Sequence, residues 1–396
     1  MISDIKFPEL KTIMYHIVKG LAHKVYLSRD TNRGRNTYPD SAVLRHGLNE
    51  LYVYAMTHQC VDSKGKVLAP ANETEAIVEF FSRPVSEWMA AWPQNIIAKA
   101  QNDYLWDWES LVSIGYHNTY ILTDFCEELA EAHKMRVVET ELPQAVFYRK
   151  LMTLTQEEYE EVRKFVIQKE NRVIKRYDLG GQVREMGVRF GKLSDINDIF
   201  KIAYEPWESL VEKIVLCERC GWTVEYTTDG RGKCQNDRCI RATNTFNRVK
   251  KIDASPQSYY RLKKGIIRYV SDPGELELDI ERECLKLGIE TQMWPDMDRY
   301  DLTLTFKDGE KWAVDAKDYA KAFLLKEKIE EDGEAIPIGD WERGFIVIPD
   351  ERVEKSYCRT VNRGIKAIGQ DNKVECVGLK TFMQKVKAKV EEGKRL

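Results

Sequence analysis

The stretch YDLTLTFKDGEKWAVDAKD, residues 300–318, reads as two strands joined by a tight turn, with Asp301 on the first and the Asp315-Ala316-Lys317 triplet on the second. Side chains alternate between the two faces of a strand. Asp301, Thr303 and Thr305 therefore share one face and Leu302, Leu304 and Phe306 the other, while Asp315 and Lys317 lie opposite Trp312, Val314 and Ala316. The loop decides whether the two polar faces coincide. A two-residue Asp308-Gly309 turn would pair Leu302 with Asp315 and Phe306 with Lys311, mixing apolar and charged side chains on both faces. A three-residue loop, Lys307-Asp308-Gly309 with Gly309 left-handed, instead pairs Leu304 with Trp312, Leu302 with Val314 and Asp301 with Asp315. The second register is expected, because a slip of one residue sends every side chain to the wrong side.

Those residue types have a shared chemistry. The carboxylates of Asp301 and Asp315, with the backbone carbonyl of Ala316, are the hard oxygen donors that Mg²⁺ prefers, with positions left for water and a phosphate oxygen. Lys317 beside them can orient or help deprotonate the attacking water and offset charge building on phosphorus. The reaction expected is hydrolysis of a phosphodiester bond.

Asp301 followed by Asp315-Ala316-Lys317 resembles the motif of the PD-(D/E)xK nucleases, the restriction-endonuclease-like superfamily. The surrounding order resembles that family's core of helix, three strands, helix and strand. An amphipathic run from Gly274 to Leu287 follows Pro273 and stops at Gly288; an extended piece covers Ile289 to Trp294; a helical pattern runs from Tyr319 to Glu331; and residues 344–349 read as a buried strand. The resemblance implies a mixed central sheet and a glutamate on the first helix facing the metal. Glu277 is the choice by distance from Gly288, with Glu281 one turn on the same face. Asp315 stands where glutamate is more frequent, and Pro295-Asp296 is displaced from Asp301, which leaves Asp296 and Asp298 as alternative ligands.

A second signal lies upstream. Cys217, Cys220, Cys234 and Cys239 form two close thiol pairs separated by a polar segment, the spacing of a tetrahedral, structural Zn²⁺ ribbon. Residues 241–270 then carry Arg241, Arg248, Lys250, Lys251, Arg261, Lys263, Lys264 and Arg268 against Asp253 alone, interleaved with Phe246, Tyr259, Tyr260 and Tyr269. Such a segment suits phosphate contact and stacking on bases or sugars. The candidates for nucleic-acid contact are Arg248, Lys250, Lys251, Arg261, Lys263, Lys264 and Arg268.

Composition frames the rest. The chain has 396 residues with 61 Lys plus Arg against 64 Asp plus Glu, so any grip on nucleic acid is local rather than global. No stretch approaches a membrane span and no export signal opens the chain, so a cytoplasmic protein without disulfides is expected. Apolar residues recur at helical intervals in 10–21, 42–56, 75–92, 95–112, 123–132 and 157–167, with a basic polar break at 28–37. The organisation expected is a mostly helical domain over 1–205, a zinc ribbon over 206–245, a basic, aromatic connector over 246–270 and a nuclease core over 271–396. All six histidines precede residue 134 and read as isolated structural or surface residues, which excludes histidine-metal chemistry in the C-terminal domain. No phosphate-binding loop of the NTPase type is present.

The order of parts is also similar to the restriction-type nuclease that accompanies prokaryotic PIWI-like proteins and a helicase in defence systems. That resemblance implies DNA as substrate, a guide RNA held by a partner, and PIWI-like and helicase subunits as companions. The alternative from a different class is a non-cleaving nucleic-acid-binding or assembly subunit with a vestigial nuclease fold.

Overall fold

Ser41 opens the best-capped helix of the N-terminal region, its hydroxyl accepting from the Leu44 backbone at 3.3 Å. The computed structural model describes residues 8–30, 41–114, 120–132, 143–207, 214–226, 232–234, 236, 239, 249–252, 258–353 and 356–393. The chain divides into two units: Met1–Glu139 with Tyr319–Lys328, and Thr140–Asp318 with Ile329–Leu396. Residues 140–205, grouped from sequence with the N-terminal helices, fall in the second unit. The polar break at 31–37 lies outside the described residues.

In the first unit, α1 (Leu10–Asp30) and α2 (Ala42–Thr57) pack through Ile13, Ile17 and Leu21 against Leu44, Leu48 and Leu51. The helix expected over 75–92 is broken around Pro84, which cannot donate the bond a continuing helix needs. The one expected over 95–112 stops early: α3 covers Gln94–Asn102, Tyr104 turns left-handed at φ 60°, and a short antiparallel pair follows, β1 (Val112–Ile114) with β2 (Tyr120–Leu122). Here tertiary packing overrides periodicity, because buried Trp108 sits against Tyr15 and Phe125, each at 5.6 Å between ring centroids. Helix α4 (Asp124–Ala132) completes this unit together with Tyr319–Lys328, whose Phe323 stacks on Tyr104 at 5.9 Å. The histidines are not all isolated, since Glu50 of α2 is met by His16 of α1 at 2.6 Å and by His46, one turn away on its own helix, at 3.3 Å.

The second unit begins with α5 (Pro143–Leu151) and α6 (Gln156–Ile167), the latter opened by a reciprocal capping box between Thr155 and Glu158. Next come β3 (Val173–Lys175), α7 (Arg176–Arg189), α8 (Leu193–Ala203) and β4 (Tyr204–Pro206). Four strands follow in the cysteine-bearing region: β5 (Ile214–Cys217), β6 (Val224–Tyr226), β7 (Gly232–Cys234) and β8 (Val249–Ile252), paired antiparallel as β5 with β8 and β6 with β7. Strand β9 (Tyr259–Leu262) is the centre of a three-stranded sheet of order β3-β9-β4, so part of the expected connector is core structure.

The C-terminal portion is α9 (Asp272–Lys286), β10 (Glu290–Met293), β11 (Leu302–Thr305), β12 (Lys311–Ala316), α10 (Ala322–Asp332), β13 (Arg343–Ile348), α11 (Tyr357–Ala367), β14 (Val374–Gly378) and α12 (Leu379–Glu392). Its five strands stand in chain order, with the first three antiparallel and the last three parallel, a mixed sheet. The parallel pairs are joined through α10 and α11, as parallel neighbours require. The hairpin register is the one expected: Leu302 faces Val314 and Leu304 faces Trp312. Phe306 and Glu310 close a three-residue loop through a 2.9 Å backbone bond, and Gly309 takes φ 89°, a conformation a side chain would oppose. Trp312 links Phe306 at 4.6 Å to Phe345 at 4.8 Å, and Phe345 meets Phe382 of α12 at 5.3 Å. These rings and Ile280 of α9 belong to the same buried core, which fixes the sheet's apolar face and leaves the acids the other.

Candidate active site

Asp301 sits where the sheet opens, one residue before β11, and its backbone N–H donates to the Val314 carbonyl at 3.1 Å. Val314 is already the register partner of Leu302, so the regular ladder ends there, with Asp315 the next residue on β12. Both side chains are buried, at 7 % exposure each, which is exceptional for carboxylates and demands partners. Asp301 Oδ2 accepts from the Ala316 N–H at 2.6 Å, and Lys317 Nζ approaches Asp315 at 2.8 and 2.9 Å. Burial, then the charges of Glu277 and Asp315, push the Asp301 carboxyl well above its usual range, while Lys317 pulls it down. The charges of Glu277, Asp315 and Lys317 therefore all act on Asp301.

Glu277 is 4 % exposed and comes from the second turn of α9. The Trp294 indole N–H donates to its Oε2, and Arg163 Nη2 lies 3.3 Å from the same oxygen. Burial pushes its pKa up, with Arg163 as the main opposing influence and Asp298 adding to the rise. Glu281, one turn on, is paired with Lys164 at 2.6 Å. Of the two alternative acids, Asp296 is exposed and meets Arg299 at 3.4 Å, whereas Asp298 is ion-paired with Arg163.

Arg163, Gln156 and Trp294 are the residues that sequence reading did not single out. Between β10 and β11 the backbone is left-handed at Trp294, Asp296, Met297 and Asp298, with φ of 45, 52, 58 and 79°. Four such non-glycine residues store strain and persist only when neighbours hold them. Gln156 does so: its Nε2 donates to the Met293 and Trp294 carbonyls at 3.1 and 3.0 Å, and its Oε1 accepts from Met297 N–H at 3.0 Å. Arg163, on the same helix, lies 4.3 Å over the Trp294 ring and is fully buried between Glu277 and Asp298. A signal did exist, since Arg163 interrupts the apolar stripe of Tyr159, Val162 and Val166, where a solvated charge has no place.

Removing that guanidinium leaves Glu277 buried without its counter-charge. Arg163→Met is expected to destabilise the protein by about 3–5 kcal/mol in urea unfolding, and adding Glu277→Gln to recover most of that loss. Additive losses in the double variant would show that the two side chains act separately.

The charges also count. Glu277, Asp298, Asp301 and Asp315 face Arg163 and Lys317, four acids against two bases, an imbalance that shows in the upward push on the Asp301 and Glu277 carboxyls. Carboxylate oxygens are hard donors of the kind that small divalent cations take. Among the described residues, the donor sets drawn within 4.8 Å of one another are the four cysteines and His16, His46 and Glu50. The carboxylates are adjacent without being gathered that tightly, and two of them are already engaged by Ala316 and by Arg163 with Trp294.

Cys217, Cys220, Cys234 and Cys239 are all buried, with Sγ atoms 3.9 Å apart for Cys217 and Cys239 and 3.5 Å apart for Cys220 and Cys234. The backbone folds around them as metal knuckles do: Gly221 N–H returns to the Cys217 carbonyl at 2.8 Å and Asn236 N–H points at Cys234 Sγ at 3.4 Å. Hydrogen bonds from Cys220 and the other thiols pull Cys217 far below the usual thiol range, while Cys217 in turn pushes Cys234 far above it. Four thiolates this close need a cation, and the cluster is one that can bind a metal such as zinc.

The nucleic-acid candidates are scattered. Lys250 and Lys251 are exposed on β8, and Arg248 lies outside the described residues. Arg261 is used internally, 2.8 Å from Glu205 and 3.2 Å from Thr223, and Lys263 donates to the Lys201 carbonyl at 3.0 Å. Lys264 and Arg268 are half-buried, with Arg268 5.2 Å over the Tyr269 ring. Among the described residues, no helix is long and apolar enough to cross a membrane.

Residues 274–394 match the model of a family described as "REase associating with pPIWI_RE". The matched segment covers the mixed sheet and its helices, and it makes the C-terminal part of this chain similar to a restriction-endonuclease-type family linked to pPIWI systems. No curated protein and no solved structure matches the chain.

Proposed function

We propose that the chain is a Mg²⁺-dependent endonuclease that hydrolyses phosphodiester bonds in DNA. The observation that carries this reading is the buried cluster in which Asp301, Asp315 and Glu277 outnumber the cations beside them while Lys317 sits 2.8 Å from Asp315. Asp301, Asp315 and the Ala316 carbonyl would hold the ion. Mg²⁺ bound there would polarise the scissile phosphate and lower the pKa of a bound water. Lys317 stands one residue beyond the strand that carries Asp315, where its ammonium can orient the attacking water and offset charge on the phosphorus. Glu277, oriented by Trp294 and Arg163, is the group to receive a proton or order a second water. The four cysteines would bind structural Zn²⁺ that holds the ribbon.

The family description supports work alongside a pPIWI_RE protein. A guide RNA and a helicase rest on the resemblance of the order of parts. With purified full-length chain, supercoiled plasmid is expected to be nicked and linearised when Mg²⁺ is added, and to stay supercoiled without it. Intact plasmid under both conditions, with duplex binding retained, would select the non-cleaving subunit instead.

A further inference from the structure

Helix α6, strand β3, helices α7 and α8, and strands β4 and β9 follow one another along the chain, with sheet order β3-β9-β4 and every pairing antiparallel. Helix, strand, helix, helix, strand, strand in that sheet order is the arrangement of a winged helix. The chain between the last two strands forms the wing, and its described part here holds the four cysteines and strands β5 to β8. We propose that residues 156–262 form a winged-helix module that binds duplex DNA through the groove between α7 and α8, with the four-cysteine ribbon as its wing. This deepens the nuclease reading by naming where the duplex is held, yet it does not depend on cleavage.

The turn supports the motif. Phe190, Gly191 and Lys192 join the two helices, Gly191 takes φ 67°, and Lys192 N–H returns to the Gly187 carbonyl at 2.9 Å. A Cβ on Gly187 would stand 2.7 Å from Leu193 Cα, so the helices meet backbone to backbone. Ile196, Ile199, Phe200 and Ala203 turn α8's apolar face into the core. The opposite face presents Ser194, Asn197 and Lys201 at spacings that align along a helix, beside exposed Asp195 and half-buried Asp198, the latter 3.8 Å from Lys201.

Those three side chains line a groove of about 930 Å³ with Arg176, Gly180 and Arg184 of α7. The lining includes three cations and no acid, on a chain whose net charge is −3. Gly180 and Gly181 lie in the interior of α7, where a Cβ would meet nothing within 4 Å. Each costs about 1 kcal/mol relative to alanine, with no packing reason among the described residues, and the pair leaves a smooth surface for close approach from outside. A helix with polar Ser, Asn and Lys outward fits the major groove of B-form DNA, whereas the major groove of duplex RNA is too narrow to admit it. Flanking arginines would take the phosphates.

The ribbon is fixed to this module as a stiff wing must be. Trp222 Nε1 donates to the Leu262 carbonyl at 3.1 Å, Lys169 Nζ to the Glu218 carbonyl at 2.7 Å and Arg172 Nη1 to the Cys220 carbonyl at 3.0 Å. Lys250 and Lys251, exposed on β8, then become wing contacts to the DNA backbone.

The test uses the full chain carrying Lys317→Ala, so that no DNA is cut, and the fluorescence anisotropy of a labelled mixed-sequence DNA duplex, the same single strand and the matching RNA duplex. Arg176→Ala with Arg184→Ala is expected to weaken duplex binding roughly tenfold or more and to lower the slope of log affinity against log salt by about two. Asn197→Ala should weaken binding with the slope unchanged, and Lys387→Glu, an exposed charge change on α12, should do neither. Circular dichroism melts confirm that these surface variants fold. Wild-type affinity and slope in the double arginine variant would overturn the inference, as would tighter binding to the single strand or the RNA duplex. Where the slope falls but the unmodified chain never cuts plasmid, the nuclease reading alone fails. Where cutting persists at the wild-type rate after charge reversal of Arg176, Arg184 and Lys201, the winged-helix inference alone fails.

Discussion

Cys220→Ser is expected to yield a chain without stoichiometric zinc whose second unit unfolds at markedly lower denaturant than the wild type, which should carry one zinc per molecule by elemental analysis. The effect is large because a structural zinc contributes about 10–16 kcal/mol of apparent binding free energy in small domains. Here the ligands are not peripheral: all four cysteines, with Trp222 and Val224, lie in the core that also contains the sheet of β3, β9 and β4. Losing the ion also leaves the Cys217 and Cys239 thiols facing each other at 3.9 Å. Part of the loss reaches further, since Arg172 ties the Cys220 carbonyl to Asp272 of α9 at 2.9 Å. A wild-type protein that is stable and free of metal would refute the zinc assignment.

The other large effect is on catalysis, and it separates two roles. Asp315→Ala and Lys317→Ala are each expected to slow plasmid cleavage by on the order of 10³-fold, the scale of losing a catalytic group or an electrostatic stabiliser. Asp315→Ala should also lose divalent-metal binding, because it removes a ligand. Lys317→Ala should keep it, because an ammonium is no ligand. Retained duplex binding in both variants would show that the loss is chemical rather than structural. Cleavage at the wild-type rate in either variant would remove that residue from the mechanism.

What could be read in the chain and what could not have physical causes. The hairpin was readable because an alternation of two leaves one register in which Leu302, Leu304, Trp312 and Val314 share a face, and because Gly309 permits the left-handed loop that register needs. The limits of α9 followed from Pro273 and Gly288. Gln156 was not readable as a site residue, since its partners lie more than a hundred positions away and nothing local announces it, while Arg163 shows only as a charge in its helix's apolar stripe, with Glu277 as distant. The left-handed run at 294–298 has no glycine to betray it. The N-terminal helix over 95–112 failed because apolar spacing there serves aromatic packing around Trp108 instead of a helical stripe. The sheet of β3, β4 and β9 was hidden twice over: its strands are three or four residues long, too short for an alternation to register, and the cysteine segment separates the last two. The strongest motif upstream of the nuclease core thus interrupts a module rather than following one.

The central claim is that Asp301 and Asp315 hold a divalent cation, and the most direct measurement is titration of Mn²⁺ into the full chain, followed by electron paramagnetic resonance, beside Asp301→Asn. The account predicts one site in the wild type that competes with Mg²⁺ and is absent from Asp301→Asn. The same substitution should raise the melting temperature without added metal, because it removes a buried charge that Glu277 and Asp315 repel. Equal Mn²⁺ binding by both proteins, with equal melting temperatures, would contradict it.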